Sequence, residues 1–295
     1  MFRSLLCVIS LASSEGSAYS EQPVRVLDAN VYHLGTPGFP EWDEFAKSQA
    51  HGRRLDIQFK AEPNSTPQTL FIRQRQVKAR WTVLLNNQRL GNLLNIDSKL
   101  VHSITVPPGK MKAGLNTISI VAPKTTDDIE VGPITLTAQP EAEIFSASLN
   151  VNVTDKQTGR PTPSRITIVD IYGALAALRP VPEQRLAHRP GVVYTGGDLV
   201  RLKLLPGQYT VYASRGFEYS LAKTTVTVRA GTPSNVQLTL TREVPTPGLV
   251  ATDTHIHTLT RSGHGDSSEP ERMYTIAGEG IEFAVATDHN HHADY

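Results

Sequence analysis

Alternation of apolar and polar residues is the main pattern in the first part of the chain. Five segments between about Gln22 and Gln139 change character at every second position and are separated by turn residues. They are residues 54–61, 68–76, 81–91, 102–109 and 114–123. A period of two places successive side chains on opposite faces of a strand, so these segments predict β-strands. Their spacing predicts an antiparallel β-sandwich over residues 21–140.

A second group of alternating segments lies within residues 141–242. The segments are residues 147–170, 199–216 and 223–243. Pro206 and Gly207 supply turn geometry directly before the strand that contains Tyr209. We therefore predict a second β-sandwich, followed by a short, stiff, proline-rich linker at residues 243–248.

The pattern changes after the linker. Residues 249–253 and 281–287 are short apolar runs of the kind found in buried strands. Between them, Ser268 followed by Glu271 fits a capping box, which indicates where a helix begins. Residues 249–295 therefore predict a strand–helix–strand unit typical of parallel α/β sheets and barrels. The predicted fold class is mainly β, with two β-sandwich domains followed by an incomplete start of an α/β barrel.

Composition and charge narrow the range of partners. Among the 295 residues are 21 glycines and 20 prolines, a share that suits short strands joined by turns. The formal net charge is only +1, so neither nucleic acid nor an anionic membrane surface is predicted as a partner. A small-molecule or glycan substrate is compatible with this composition. The composition does not determine the oligomeric state.

The N-terminus has the pattern of a secretory signal. Residues 1–20 contain Arg3, a short apolar run and then small residues, so we predict a signal peptide and a secreted or periplasmic protein. An ordinary apolar first strand is the alternative. The only cysteine, Cys7, lies in this run, and a mature chain without cysteine is compatible with export. No segment of the sequence approaches the roughly 20 apolar residues of a transmembrane helix.

Histidine and aspartate concentrate where two predicted strands end. His255 and His257 follow the first apolar run, and Asp288 and His289 follow the second. The carboxyl ends of neighbouring parallel strands share one edge of a sheet, where α/β folds place their sites. In an extended His-Ile-His segment both imidazoles point to one side, so both can reach one ion. Imidazole combined with carboxylate suits zinc, manganese or iron.

Two motifs in this segment carry a family resemblance. The sequence DTHIHT at residues 253–258, a Gly/Ser loop, a short helix and GIEFAVATDHN at residues 280–290 follow one another. This order resembles the start of the PHP family, the polymerase and histidinol phosphatase metal-dependent phosphoesterases. The resemblance implies that His255, His257 and His289 are metal ligands.

The same resemblance implies roles for four further residues. Asp266 is the counterpart of the acidic or histidine ligand in the family's loop, and His264 competes for that position because the loop here is longer. Asp253 and Asp288 would orient the imidazoles through hydrogen bonds. No catalytic residue is assigned. Amidohydrolases also carry His-x-His after a first strand, but they are not expected to follow it so soon with Thr-Asp-His.

The extent of the match bears on the expected activity. The family's barrel draws its remaining ligands from later strands, and the present sequence stops at Tyr295. The resemblance therefore implies the N-terminal part of a longer metal-dependent hydrolase, with weak or no activity of its own.

The sandwiches carry narrower resemblances that support a rival function. The strand order from Trp81 to Ile120 resembles galactose-binding-like jelly rolls, and residues 141–242 resemble carboxypeptidase-regulatory-like sandwiches. Trp42 and Trp81 are candidate sugar contacts, although alternation favours a core position for Trp81. The rival function is an exported carbohydrate- or protein-binding module with a vestigial metal motif.

Arg215 is the candidate substrate contact outside the histidine-rich segment. It lies in the sequence RGFEYS at a predicted strand end. Two interpretations stay open: Arg215 holds an anionic group of a substrate, or it pairs with Glu218 at a solvated hairpin tip.

Overall fold

The computed structural model describes residues 24–292 and Tyr295. The signal peptide predicted over residues 1–20 lies outside these residues. Strands arranged in five sheets are the main secondary structure of the described chain, which confirms the mainly β fold class. Among the described residues, none of the helices has the length and apolar character needed to cross a membrane.

Nine strands form the first sandwich. They are β1 Arg25–Asp28, β2 Tyr32–Leu34, β3 Arg54–Ala61, β4 Gln68–Arg75, β5 Thr82–Leu85, β6 Gln88–Asn92, β7 Leu100–Val106, β8 Gly114–Val121 and β9 Ile129–Thr137. One sheet has the order β1-β9-β4-β7, with β2 also paired to β9, and the other has the order β3-β8-β5-β6. The strands pair antiparallel, as the sequence predicts. A single turn of 3-10 helix at Asp43–Phe45 lies between β2 and β3.

Apolar side chains from both sheets form one core in this sandwich. Leu70 of β4 is fully buried, and so is Trp81, whose indole N–H donates to Asp127 Oδ2 at 2.8 Å. Burial raises the pKa of Asp127 despite the hydrogen bonds that it accepts. Trp42 is half-buried, with the Lys78 ammonium 3.5 Å from its ring centroid. Neither tryptophan is therefore a freely exposed ring of the kind that stacks on a sugar.

Nine further strands form the second sandwich, after a short helix α1 at Glu141–Ile144. They are β10 Ala147–Asp155, β11 Ser164–Asp170, β12 Leu178–Pro180, β13 Leu186–Arg189, β14 Val192–Thr195, β15 Val200–Leu204, β16 Gly207–Ser214, β17 Ala222–Val228 and β18 Pro233–Leu240. The two sheets have the orders β12-β15-β10-β18 and β13-β14-β11-β16-β17. Only β10 and β18 pair in parallel among these strands, and the inward side chains of both sheets form a second core.

The two sandwiches contact each other directly. Their junction contains a small apolar cluster made of Phe71, Ile144, Phe145 and Ala177. Beside it, the backbone N–H of Leu175 donates to the Lys99 carbonyl at 2.8 Å. An ion pair between Arg73 and Asp170 also joins the two sandwiches. The junction thus combines apolar burial, a backbone hydrogen bond and paired charges.

The C-terminal segment is a strand–helix–strand unit. It consists of β19 Thr252–Ile256, α2 Leu259–Ser262, α3 Glu269–Gly278 and β20 Phe283–Ala286. The two strands pair in parallel, as expected. The capping box is also present: the Ser268 hydroxyl accepts from the backbone of Glu271, and the Glu271 carboxylate accepts from the backbone of Ser268.

The prediction of two buried strands in this segment is wrong. Val250 and Phe283 are 61% and 58% exposed, and β19 and β20 form only a two-stranded sheet within the described residues. The reason is the position of α3, which packs on β11, β13 and β14 of the second sandwich. Gly278 allows this close approach, because a Cβ there would lie 2.8 Å from the Tyr194 ring. The predicted start of an α/β barrel is therefore not shown.

Candidate metal centre

Three separate elements bring histidines to one end of the C-terminal sheet. His255 and His257 lie at the end of β19, His264 lies in the loop between α2 and α3, and His289 follows β20. Because β19 and β20 pair in parallel, their carboxyl ends lie side by side, and this brings His257 close to His289. The intervening loop folds back onto the same edge, so residues more than 30 positions apart become neighbours.

His257, His264 and His289 form the centre of this group. One ring nitrogen from each of them lies within 4.8 Å of the nitrogens of the other two. The His257 ring centroid is 4.9 Å from that of His264 and 4.7 Å from that of His289. Zinc binds imidazole nitrogen at about 2.0–2.1 Å, so small side-chain rotations would bring the three donors onto one ion.

Ser262 fixes the orientation of His257. The Ser262 hydroxyl donates its only proton to Asp288 Oδ1 at 2.7 Å. Its oxygen therefore accepts the other two hydrogen bonds, from the His289 backbone N–H and from His257 Nδ1, both at 3.1 Å. This leaves Nδ1 of His257 protonated, so the lone pair is on Nε2, where a metal ion would replace the contact with His255 Nε2 at 2.6 Å.

Asp288 is the buried acceptor on which this arrangement depends. Its Oδ1 accepts from the Thr258 backbone N–H at 2.8 Å and from the Thr258 hydroxyl at 3.1 Å, and its Oδ2 accepts from the Tyr295 hydroxyl at 2.6 Å. Burial raises the pKa of Asp288, but the hydrogen bonds from Tyr295, Ser262 and Thr258 outweigh burial and hold it well below the usual range. The carboxylate is thus ionised and orients Ser262, which in turn contacts His257. A direct role of Asp288 in orienting the imidazoles stays a prediction.

His257 is in the protonation state that metal binding needs. Burial lowers the pKa of His257, and the neighbouring His255, His289 and His264 act in the same direction. His255 Nε2 lies 2.6 Å from His257 Nε2, so His255 contacts the group through His257. A neutral imidazole binds a metal without first losing a proton.

Asp253 and Asp266 have partners other than the imidazole rings. Asp266, the predicted ligand, is exposed and pairs with Arg189 at 3.3 Å and Arg272 at 3.7 Å. It therefore does not join the three imidazoles, and His264 of the same loop does. Asp253 accepts the backbone N–H of His255 at 3.0 Å, which shapes the end of β19.

Arg189 connects this segment to the second sandwich. From the end of β13 its guanidinium donates to Asp266 at 3.3 Å, to Glu271 at 3.2 Å and to Ser267 at 3.4 Å. Ser267 is buried, and it lies three residues after His264. One arginine of the sandwich thus holds the far end of the loop that carries His264.

Arg215 lies beside the C-terminal segment but outside the histidine group. Its guanidinium donates to the Thr162 hydroxyl at 2.6 Å and lies over the Tyr219 ring. The expected pair with Glu218 is not formed, because Glu218 pairs with Arg242. A substrate contact of Arg215 stays a prediction.

Several residues that shape the site carried no signal in the sequence. Ser262 lies in the stretch expected to be a loop, where the short helix α2 brings its hydroxyl towards His257. Arg189 belongs to another sandwich. Tyr295 reaches Asp288 from the far end of the segment. Only the hydrogen bonds of the folded chain identify these three residues.

Comparison with known proteins yields structural neighbours only. No family model and no curated protein sequence matches the chain. Solved structures with some similarity include the Bacillus anthracis TIE protein, at 12% identity and a TM-score of 0.24 over 78% of this chain and 42% of that protein. The shaft pilin SpaA of Lactobacillus rhamnosus GG shows 12% identity and a TM-score of 0.24, over 74% and 99%. The GH2 β-galacturonidase of Eisenbergiella tayi shows 10% identity and a TM-score of 0.26, over 89% and 57%.

These comparisons correct the family assignment. The PHP resemblance is wrong, since no family model matches the chain. The hydrolase and phosphoesterase activities that the resemblance implied are withdrawn with it. The narrower resemblances to galactose-binding-like and carboxypeptidase-regulatory-like domains have no matching family model either. The β-sandwich architecture rests on the sheets and cores of the chain itself.

Proposed function

We propose that this protein is an exported β-sandwich binding protein whose C-terminal segment holds one divalent transition metal ion. His257, His264 and His289 bind the ion through ring nitrogens. The single observation that supports this assignment is the convergence of these nitrogens to within 4.8 Å of one another. Binding of a cation explains why three exposed or half-buried imidazoles from three different elements lie together.

The donor set indicates which metal is bound. Imidazole nitrogen suits zinc and iron, whereas manganese favours sites richer in carboxylate. The nearby carboxylate of Asp266 is engaged by Arg189 and Arg272, so the donors are nitrogens. Zinc is therefore the first choice and iron the second. His255 is the next nearest imidazole, but its Nε2 lies at hydrogen-bond distance from His257 Nε2, 2.6 Å, so its ring would have to turn away from His257 to become a fourth ligand.

The ion would stabilise the C-terminal segment. Its ligands lie at the end of β19, in the loop before α3 and after β20, so one ion ties three places in the chain together. Binding to the folded form alone raises stability by mass action. We propose metal binding only and no hydrolase activity, because the PHP resemblance that implied hydrolysis is wrong.

Export of the protein is part of this proposal. The charge, apolar run and small residues within residues 1–20 support a secretory signal. A metal site made only of histidines suits an oxidising compartment, because it contains no thiolate that oxidation would destroy.

Zinc titration of the purified protein tests the proposed metal site. We expect isothermal titration calorimetry to give close to one zinc ion per chain. The His257→Ala variant should bind at least about a hundredfold more weakly, because it loses the donor that Ser262 orients. His255→Ala should weaken binding less than His257→Ala does.

The control is His292→Ala, which removes an exposed histidine outside the group. Its zinc affinity should equal that of the wild type. Absence of zinc binding in the wild type, or an equal loss in His292→Ala and His257→Ala, would refute the proposed site. Circular dichroism of each variant checks that the sandwiches remain folded.

A further inference from the structure

A large cleft lies between the two sandwiches, on elements other than those that carry the histidines. Its volume is about 1410 Å³. Sites for single small molecules usually measure about 300–1,000 Å³, so this cleft can take a longer ligand. The outward face of β4, β7 and β9 forms its floor, and the turn after β11 and the turn before β16 form its opposite wall.

Strand alternation gives the floor a mixed chemical character. Phe71, Arg73 and Arg75 of β4 all line the cleft, while Ile72 between the first two is fully buried in the core. Thr135 lies opposite Phe71 in the register of β9, and Val101 lies opposite Arg73 in the register of β7. Hydroxyl, guanidinium and apolar groups are therefore interleaved along the floor.

Arg73 has a donor without a partner in this cleft. One terminal nitrogen of its guanidinium donates to Asp170 across the junction. The other, Nη1, is buried and has no hydrogen-bond partner among the described residues. A buried charged N–H without an acceptor is costly, and buried polar groups in proteins normally have one. An acceptor on a bound ligand would remove this cost once the Arg73 side chain, which lines the cleft, turns Nη1 towards it.

Tyr172 provides an aromatic surface beside that donor. It lies in the turn after β11, is 66% exposed, and its ring centroid is 4.8 Å from the Arg73 guanidinium carbon. The Lys99 ammonium donates to the Tyr172 carbonyl at 3.3 Å, which uses one of its three N–H groups. The ring and the two cationic groups thus lie together at one place in the cleft.

We propose that the cleft binds an acidic oligosaccharide, a chain of sugars that carry carboxylates. Tyr172 stacks on a sugar ring, and Arg73 and Lys99 bind the carboxylate of that sugar or its neighbour. Thr135 and Gln208 line the same cleft and can bond sugar hydroxyls. Among the described residues, Arg73 and Lys99 keep unused donors besides their contacts with Asp170 and the Tyr172 carbonyl, which favours an acidic ligand. Both terminal nitrogens of Arg75, by contrast, are paired with Glu44 and Glu130.

A peptide is a poorer occupant of this floor. Peptides that join a sheet do so at an unpaired edge, through backbone hydrogen bonds. The cleft exposes a sheet face instead, and the backbone of β4 is already paired with β7 on one side and β9 on the other. Recognition must therefore use side chains, which suits a ligand rich in hydroxyl and carboxylate groups.

The proposal rests on the proposed binding function but uses residues apart from the histidines, so the two can fail separately. We would titrate the full chain, in EDTA, with uronate hexamers of the glucose, galactose and mannose series and with their neutral counterparts. At least one uronate should bind, at least about tenfold more tightly than its neutral match, which is the worth of one charge-assisted hydrogen bond. A zinc titration of the same preparation tests the metal site independently.

Two variants and a control locate the binding. Tyr172→Ala and Arg73→Gln should each weaken uronate binding about tenfold or more. Phe217→Ala removes a fully exposed aromatic ring outside the cleft and should leave the affinity unchanged. Tyr172 lies in an exposed turn, so its replacement keeps the test valid if Arg73→Gln disturbs the junction. No binding of any uronate, equal binding of the neutral sugars or of a poly-glutamate peptide, or no effect of Tyr172→Ala would overturn the proposal.

Discussion

The first sandwich and the C-terminal segment are held together by different kinds of interaction. In the sandwich, side chains such as Leu70 and Ile120 are fully buried between two sheets. In the segment, Val250 and Phe283 are mostly exposed, and Ile256 is its only large apolar side chain that is buried among the described residues. Hydrogen bonds to Asp288 and the ion pairs of Arg189 replace the missing core.

This difference explains where the imidazoles can gather. Apolar burial stabilises the sandwiches without leaving side chains free, because each inward residue is covered on all sides. The C-terminal segment leaves imidazoles exposed at its edge, with their orientation set by polar contacts. The potential metal ligands thus lie in the region with little apolar burial. The ordered structure of that region depends on its hydrogen bonds and ion pairs.

The largest effect that distinguishes the two regions comes from removing one leucine from each. Leu70→Ala should lower the free energy of unfolding by about 2–5 kcal/mol, because it leaves a cavity in a closed core. Leu249→Ala removes the same atoms from a side chain that is 70% exposed, so we expect a change within about 0.5 kcal/mol. Urea unfolding followed by circular dichroism measures both. Equal losses would contradict the contrast between the two regions.

The sandwiches could be predicted from the sequence because their strands follow local rules. The alternating residues 54–61 form β3 with the same bounds, and β4 begins where the alternation begins. Alternation works here because one face of each strand is covered by the same core along its whole length. The capping box at Ser268 could also be predicted from the sequence, because it depends on two residues only three positions apart.

The C-terminal segment was predicted only in outline. Its parallel strands and the grouping of His257 with His289 follow from the sequence, but β19 begins at Thr252 instead of residue 249. The choice between His264 and Asp266 depends on Arg189, which draws the aspartate away from the imidazoles. That contact spans 77 residues, so no local pattern could reveal it. The motifs at residues 253–258 and 280–290 suggested the PHP family, but two short motifs are not enough to establish membership of a family.

Arg189 gives the second way to test the contrast, since it joins the two kinds of region. Arg189→Ala should weaken zinc binding about tenfold, the lower end of the range for groups that orient metal ligands, because the loop of His264 loses its anchor. The free energy of unfolding of the sandwiches should change little. Zinc calorimetry and urea unfolding on one preparation report the two quantities.

The matched control for this arginine is Arg242→Ala. Arg242 also pairs with a glutamate, Glu218, but it does not contact the loop of His264. Its removal should leave the zinc affinity unchanged. If both variants lose the same affinity, Arg189 acts through general charge and does not hold the loop.

The smallest expected effect concerns pH and a histidine of the first sandwich. His102 lies on β7, and its Nε2 is 3.1 Å from the Asn92 carbonyl. Burial lowers the pKa of His102 below the usual value for histidine of about 6.5. As the pH falls below about 6.5, the unfolded chain binds a proton before the folded chain does. The contribution of His102 to stability is therefore complete above that pH and is lost as the pH falls towards the lowered folded pKa.

The measurement is urea unfolding at about pH 7.5 and at about pH 5.5, on either side of the ordinary histidine pKa. Acidification should cost the wild type about 1 kcal/mol more than it costs His102→Gln, which keeps a donor for the Asn92 carbonyl but does not titrate. Other titrating groups are the same in both proteins, so they cancel from the comparison. Since the histidines of the C-terminal segment also cancel, a difference of this sign assigns the acid sensitivity to the sandwich. An identical loss in both proteins would show that His102 is protonated as easily in the folded sandwich as in the unfolded chain, and that the core at this position does not exclude charge.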